Sequence, residues 1–145
     1  MILTILRGVA AAIHGVYPDA EVSIDRVPQG LQPPCFYLET ISARERAEHD
    51  RRFRLTVPVR VHYFPTNHDA PREECEAVAF RLLDALEFIE ADGLRRGFAA
   101  SYKVTQDEVL MLDVTYRAFY ERTQTDTDMR ELALGLATRD DKQEG

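Results

Sequence analysis

Only two cysteines occur, Cys35 and Cys75, too few for a disulfide framework, so packing has to hold the fold. Lysine is almost missing: Lys103 and Lys142 stand against sixteen arginines. The seven glycines are scattered singly, and no GxxxxGK[ST], GxGxxG or GxSxG pattern occurs, which removes the common nucleotide-cradling and serine-hydrolase signatures. No apolar run approaches the roughly 20 residues a helical membrane span needs. The N-terminal MILTILRGVAAAIHG has no basic region ahead of its apolar stretch and carries Arg7 inside it. It reads as an amphipathic helix rather than a signal peptide. A cytoplasmic context is the default expectation.

What is present fits one globular domain. The chain has 145 residues, 45% hydrophobic and 30% charged, long enough to bury a core without a metal or disulfide staple. The formal charge is −7, a poor match for nucleic acid or an anionic membrane. Arginine is the residue suited to planar, bidentate pairing with carboxylates, so protein contacts stay open. No cofactor is implied.

Residues 2–14 place Ile2, Ile5, Leu6, Val9 and Ile13 on one helical face, ended by Gly15 and Pro18. Strands are expected at 20–26 and 35–41, separated by a segment with three prolines. A charge-dense loop over 42–50 leads to a long strand at 51–64. There Phe53, Leu55, Val57, Val59, Val61 and Tyr63 alternate with Arg52, Arg54, Thr56, Pro58, Arg60 and His62. Pro58 lacks a ladder donor, so an edge or a bulge is expected there. The next helix is expected to start at an Asp69 cap, with Cys75, Val78, Ala79, Leu82, Leu86 and Ile89 on one face and Gly93 after its end. A weak strand at 97–104 and a long one at 108–121 complete the order αβββαββ. This is an α+β fold with two helices on one face of a single mixed or antiparallel sheet. Residues 1–121 read as the domain and 122–145 as a polar tail. Met129, Leu132, Ala133 and Leu136 suit a short helix at 128–137 within it.

Chemistry has few footholds. His62, His68, Cys75 and Cys35 lack the close ligand spacing of zinc sites. Glu39 and Asp113 could meet across the sheet and serve a small metal-dependent nuclease or hydrolase. The simpler use of Asp113 is a cross-strand pair with Arg52, Arg54 or Arg60. Residues 44–60 hold Arg44, Arg46, Arg51, Arg52, Arg54 and Arg60 against Glu45, Glu48 and Asp50, a local +3 inside the −7 chain. That stretch is either a solvated hairpin or a docking surface for acidic groups, for which Glu73, Glu74 and Glu76 of a second copy are candidates. Phe80 and Phe88 fall off the core stripe of the second helix, at about 100° of turn per residue. They mark either an interface or a surface covered by the C-terminal segment.

Several segments in order resemble the tail terminator (tail completion) proteins of long-tailed phages and prophages. They are Gln29-Gly30, then Pro34-Cys35-Phe36-Tyr37-Leu38, and the strand from Arg51-Arg52-Phe53-Arg54 to His62-Tyr63-Phe64-Pro65. The helix from Glu73-Glu74-Cys75 to Leu82-Leu83 and the closing Val114-Thr115-Tyr116 follow. The likeness runs over roughly residues 1–120. It implies a structural, non-enzymatic α+β subunit of the virion tail, assembled in the host bacterial cytoplasm. It implies a hexameric ring that caps the tail tube, ends its growth and receives the head–tail connector, meeting the sheath where the tail contracts. A different head–tail junction adaptor is the neighbouring alternative. Neither nucleic acid nor membrane contact is required.

Overall fold

The computed structural model describes residues 1–24, 30 and 32–122. The expected tail helix at 128–137 lies outside the described residues. Helix α1 (Ile2–Val16) and helix α2 (Pro71–Ala85) accompany eight strands: β1 (Glu21–Ile24), β2 (Cys35–Thr40), β3 (Arg44–Ala47), β4 (Arg52–Phe64), β5 (Phe88–Glu90), β6 (Leu94–Arg96), β7 (Phe98–Val104) and β8 (Leu110–Glu121). The main sheet runs β1-β2-β4-β8-β7, with β3 pairing β4, and β5-β6 form a separate hairpin. β1 and β2 are parallel, β2 and β4 antiparallel, β7 and β8 antiparallel. The α+β class and the expected order hold, with three short strands added.

The chain divides into two compact units. The first comprises Met1–Arg44 and Thr56–Ala118; the second comprises Glu45–Leu55 and the chain from Phe119 onward.

In the first unit the alternation of β4 and β8 buries Val57, Val59, Val61 and Tyr63 with Leu110, Leu112, Val114, Tyr116 and Ala118. Helix α1 adds Ile5, Leu6, Val9 and Ile13; α2 adds Cys75, Val78, Ala79 and Leu82. The opposite face of the sheet is half-buried and polar. Pro58 lies on a central strand, one position beyond the last β2 pair, Thr40–Val59. Ile41 still donates to the Pro58 carbonyl at 3.2 Å, so the missing proline donor falls where the β2 ladder has stopped.

Several local expectations need correction. The 42–50 loop contains β3, whose four residues are all exposed, so no apolar alternation announces it. Helix α2 is capped by Ala70, not Asp69, without a side-chain cap. The Asn67 side chain instead accepts from the Asp69 and Ala70 amides at 2.9 and 3.1 Å. Helix α2 also stops at Ala85. Leu86 and Ile89 are buried, but Ile89 belongs to β5 and Gly93 to the β5–β6 turn, where Asp92 and Gly93 both take positive φ. Phe88 is therefore a strand residue, not a helical one.

Close approach explains two glycines. A Cβ on Gly97 would stand 2.7 Å from Val114 Cγ2 and 2.8 Å from the Leu86 carbonyl. One on Gly8 would stand 2.7 Å from the Glu90 carbonyl, so α1 and the β5–β6 hairpin touch through backbone.

Candidate functional site

In the second unit residues 45–47 of β3 and the start of β4 form a hairpin. Arg52 donates its amide to the His49 carbonyl and Glu48 donates to the Arg52 carbonyl, both at 2.8 Å, and Asp50 turns the chain at φ 54. The end of β8 lies along the other side of β4, with the Arg122 amide donating to the Arg51 carbonyl at 3.0 Å. Arginines and aromatics interleave across these strands. The Arg122 guanidinium lies 4.2 Å over the Phe53 ring, Phe53 stacks on Tyr120 at 5.8 Å, and Arg52 lies 4.6 Å over Phe119. Each cation–π contact contributes about 0.5–1 kcal/mol at an exposed site.

This arrangement sorts the arginine-rich stretch. Arg122 is hydrogen-bonded to Glu45. Arg54 meets Glu48 at 3.6 Å, too long for a hydrogen bond, and its Nε is buried without a hydrogen-bond partner among the described residues. Arg60 belongs to the first unit and donates to both oxygens of Asp113 at 2.9 and 3.0 Å. That bidentate bond holds the guanidinium pKa above its ordinary value, against the opposing effect of burial. Arg51 is also engaged. Arg44 and Arg46 are exposed and make no ion pair or hydrogen bond among the described residues. Arg44 closes the first segment of the first unit and Arg46 lies in the second unit.

The polar face of the main sheet accounts for Glu39 and Asp113. Glu39 lies opposite Arg60 in register and its carboxylate meets His62 Nε2 at 2.8 Å. The His62 ring lies 5.1 Å from that of Tyr37. Each carboxylate thus has a basic partner. No group of three His, Cys, Asp or Glu able to hold a metal occurs among the described residues. His68 is exposed. Cys35 and Cys75 are free and buried, and burial raises both thiol pKa values, which keeps them protonated and unreactive.

The acids at the start of α2 have separate uses. Glu73 is exposed and unpaired among the described residues. Glu74 turns inward and accepts from the Tyr63 hydroxyl, the Thr66 amide at 2.9 Å and the Asn67 amide at 2.8 Å. Burial disfavours its charge, but these hydrogen bonds outweigh burial and hold its pKa below the ordinary carboxylate value. Burial, then the bond to Glu74, drives the Tyr63 pKa far upward, so Tyr63 remains a donor. Glu76 accepts from Tyr102 at 2.7 Å.

Phe80 is 66% exposed, with Tyr102 edge-on at 6.4 Å. Phe88, 49% exposed, shares the outer face of the β5–β6 hairpin with Leu94, 72% exposed. Arg96 lies 5.7 Å over the Phe88 ring. A cleft of about 210 Å³ lies among Leu82, Leu86, Gly97, Phe98 and Leu112, smaller than the roughly 300 Å³ at which small-molecule sites begin.

Sequence reasoning missed the Phe53–Tyr120–Arg122 stack and Leu94. The alternation of Phe53 and Tyr120 was visible, but it pointed to core, and only the neighbouring arginines hinted at stacking. Leu94 follows Asp92-Gly93, a hairpin-forming pair that carried the available signal.

No curated protein matches the chain. The phage tail terminator protein family matches residues 4–128. Among solved structures the chain is similar to one from the "Virion of native gene transfer agent (GTA) particle", with 15% identity, 80% of this chain and 93% of that chain covered, and a TM-score of 0.49.

Proposed function

The chain belongs to the phage tail terminator protein family, and we propose that its copies close into a hexameric ring on the tail tube. It is a structural, non-enzymatic protein of the phage tail. In the proposed role the ring stops tube polymerisation and then presents the surface that receives the head's connector. In a contractile tail its rim also meets the sheath, and assembly takes place in the host cytoplasm.

The observation that carries this reading is the family match across residues 4–128. The second unit supports it with a ladder of stacked arginines and aromatics, the composition favoured at protein interfaces. A closed ring also needs two different complementary patches on each subunit. On the basic side Arg44 and Arg46 are available, whereas Arg52, Arg54 and Arg60 are occupied within the subunit. On the acidic side Glu74 is consumed by Tyr63, Thr66 and Asn67, which leaves Glu73 and the half-shared Glu76. Phe80 and the Phe88–Leu94 face are the apolar candidates.

Mass determination in solution, with negative-stain imaging of purified tail tubes, tests the proposal. Rings at tube ends and an arrest of tube growth are expected. Tubes that keep growing at their normal rate in excess protein would overturn it. Binding to connector alone would instead favour the junction-adaptor reading.

A further inference from the structure

Both ends of the main sheet are open. In the order β1-β2-β4-β8-β7, β1 pairs only with β2 and β7 only with β8 among the described residues. Both end strands lie in the first unit. An open edge offers unpaired N–H and C=O groups to an extended segment.

The β7 edge suits one kind of strand. Ala99, Ala100, Ser101 and Lys103 are exposed. The ladder with β8 is regular from Ser101 to Val104 and shifts register between Phe98 and Ser101, where Ala99 takes φ 55. Tyr102 and Val104 pair with the buried Leu112 and Leu110, and the Tyr102 hydroxyl reaches Glu76 of α2. These two side chains therefore share the helix-covered face, and Ser101 and Lys103 share the polar one. The cleft of about 210 Å³ lies between Leu82 and Leu86 on one side and Ala99 and Ala100 on the other. It is open because the two alanines project only methyl groups. A strand added outside β7 would bring an inward side chain over it. A lysine and a bulge also turn neutral strands away from an edge. The added strand must then be short, acidic opposite Lys103 and aliphatic opposite Ala100.

Strand β1 of a second copy has these properties. It runs for four residues, Glu21–Ile24. Val22 and Ile24 pair with the buried Phe36 and Leu38, which puts them on the helix-covered face, yet both are only half-buried. Glu21 and Lys103 are exposed and make no ion pair among the described residues. We propose that β1 of one copy adds antiparallel to the β7 edge of the next. Glu21 then stands opposite Lys103, Val22 opposite Tyr102, Ser23 opposite Ser101, and Ile24 over the cleft beside Ala100. The direction is antiparallel because Ile24 has to reach back to Ala100 when Glu21 stands at Lys103. This rests on the ring reading and names the contact between adjacent subunits. A subunit does not satisfy its own edges, since β1 and β7 end the same sheet with three strands between them. One donor edge and one acceptor edge per subunit make the head-to-tail contact that closes rings.

Cysteine cross-linking of the full-length protein beside purified tail tubes tests this. One variant carries Ser23→Cys and another Ser101→Cys. Residues facing across antiparallel strands have Cα atoms about 4.5–5.5 Å apart, within disulfide reach, and the native Cys35 and Cys75 are buried. Under mild oxidation the mixture is expected to give a cross-linked dimer that neither variant gives alone. A chain with both substitutions is expected to give a ladder that ends at a closed ring. Lys103→Glu should weaken assembly about two- to fivefold at each contact, and adding Glu21→Lys to the same chain should restore it, with circular dichroism as the folding check. Rings imaged on tube ends without the cross-link would overturn the contact and leave the ring reading standing. Protection of the β7 amides from hydrogen exchange by added tube, again without the cross-link, would seat the tube subunit on that edge and overturn the second-copy assignment. Dispersed subunits beside tubes that keep growing would overturn both readings. A cross-linked ring that leaves tube growth unaffected would overturn the capping function and leave the contact standing.

Discussion

Glu74 shows how much one carboxylate can organise. It gathers the Tyr63 hydroxyl and the Thr66 and Asn67 amides, tying the end of β4 to the first turn of α2. Its pKa in the folded chain lies below the ordinary value of 4.5. The stabilisation is therefore complete above about pH 4.5 and is lost as pH falls through the lower, folded-state value. Glu74→Gln should cost about 1 kcal/mol at neutral pH and flatten the acid limb of a stability–pH curve measured by urea unfolding. Two glycines give an opposed pair of expectations. Gly97→Ala pushes a methyl against Val114 and the Leu86 carbonyl and should destabilise by roughly 1–3 kcal/mol. Gly15→Ala lies in α1 with nothing within 4 Å and should stabilise by about 0.5–1 kcal/mol. Thermal unfolding of the two variants side by side checks both.

At the scale of elements, the hairpin of the second unit depends on stacking rather than on deep burial. Phe53 is only half-buried, held between Tyr120 and Arg122. Phe53→Ala should cost roughly 1–2 kcal/mol and speed hydrogen exchange at the Glu48 and Arg52 amides. The amides of β2 and α2, in the first unit, should exchange at the parent's rate; acceleration there as well would show that the stack stabilises more than the hairpin. The long elements were legible because burial wrote a period into them. Ile5, Leu6, Val9 and Ile13 mark α1, and the alternations of β4 and β8 mark the sheet. The short ones were not. The exposed Arg44–Ala47 strand has no apolar residue to alternate except its last alanine. Leu86 and Ile89 mimic further turns of α2 because 11 and 14 residues after Cys75 is close to a whole number of helical turns. Their burial is real, but Leu86 ends the helix, where its carbonyl accepts from the buried Tyr116 hydroxyl at 2.6 Å. Of the candidate site, the arginine-rich stretch was visible as composition. Which arginines are free was not, since that depends on partners such as Asp113 and Phe119, more than 50 residues away in the chain.

For the molecule as a whole, charge placement matters more than the total of −7. Most of the basic stretch is neutralised or stacked within the subunit, so reversing Arg52 or Arg54 should loosen the second unit's own hairpin as well as any assembly. Unfolding midpoints should separate that effect from reversal at Arg44 and Arg46, which should leave stability within about 0.5 kcal/mol of the parent. The two buried thiols offer a further use. Cys35 lies on β2 and Cys75 on α2, both in the first unit, and neither is exposed to reagent in the folded state. Alkylation of intact particles would proceed only as fast as that unit opens, and mass spectrometry would resolve the two positions. Equal rates at Cys35 and Cys75 would indicate opening as one body, and unequal rates would show which layer lets go first. The protein thus carries its own clock for how long an assembled particle holds its shape.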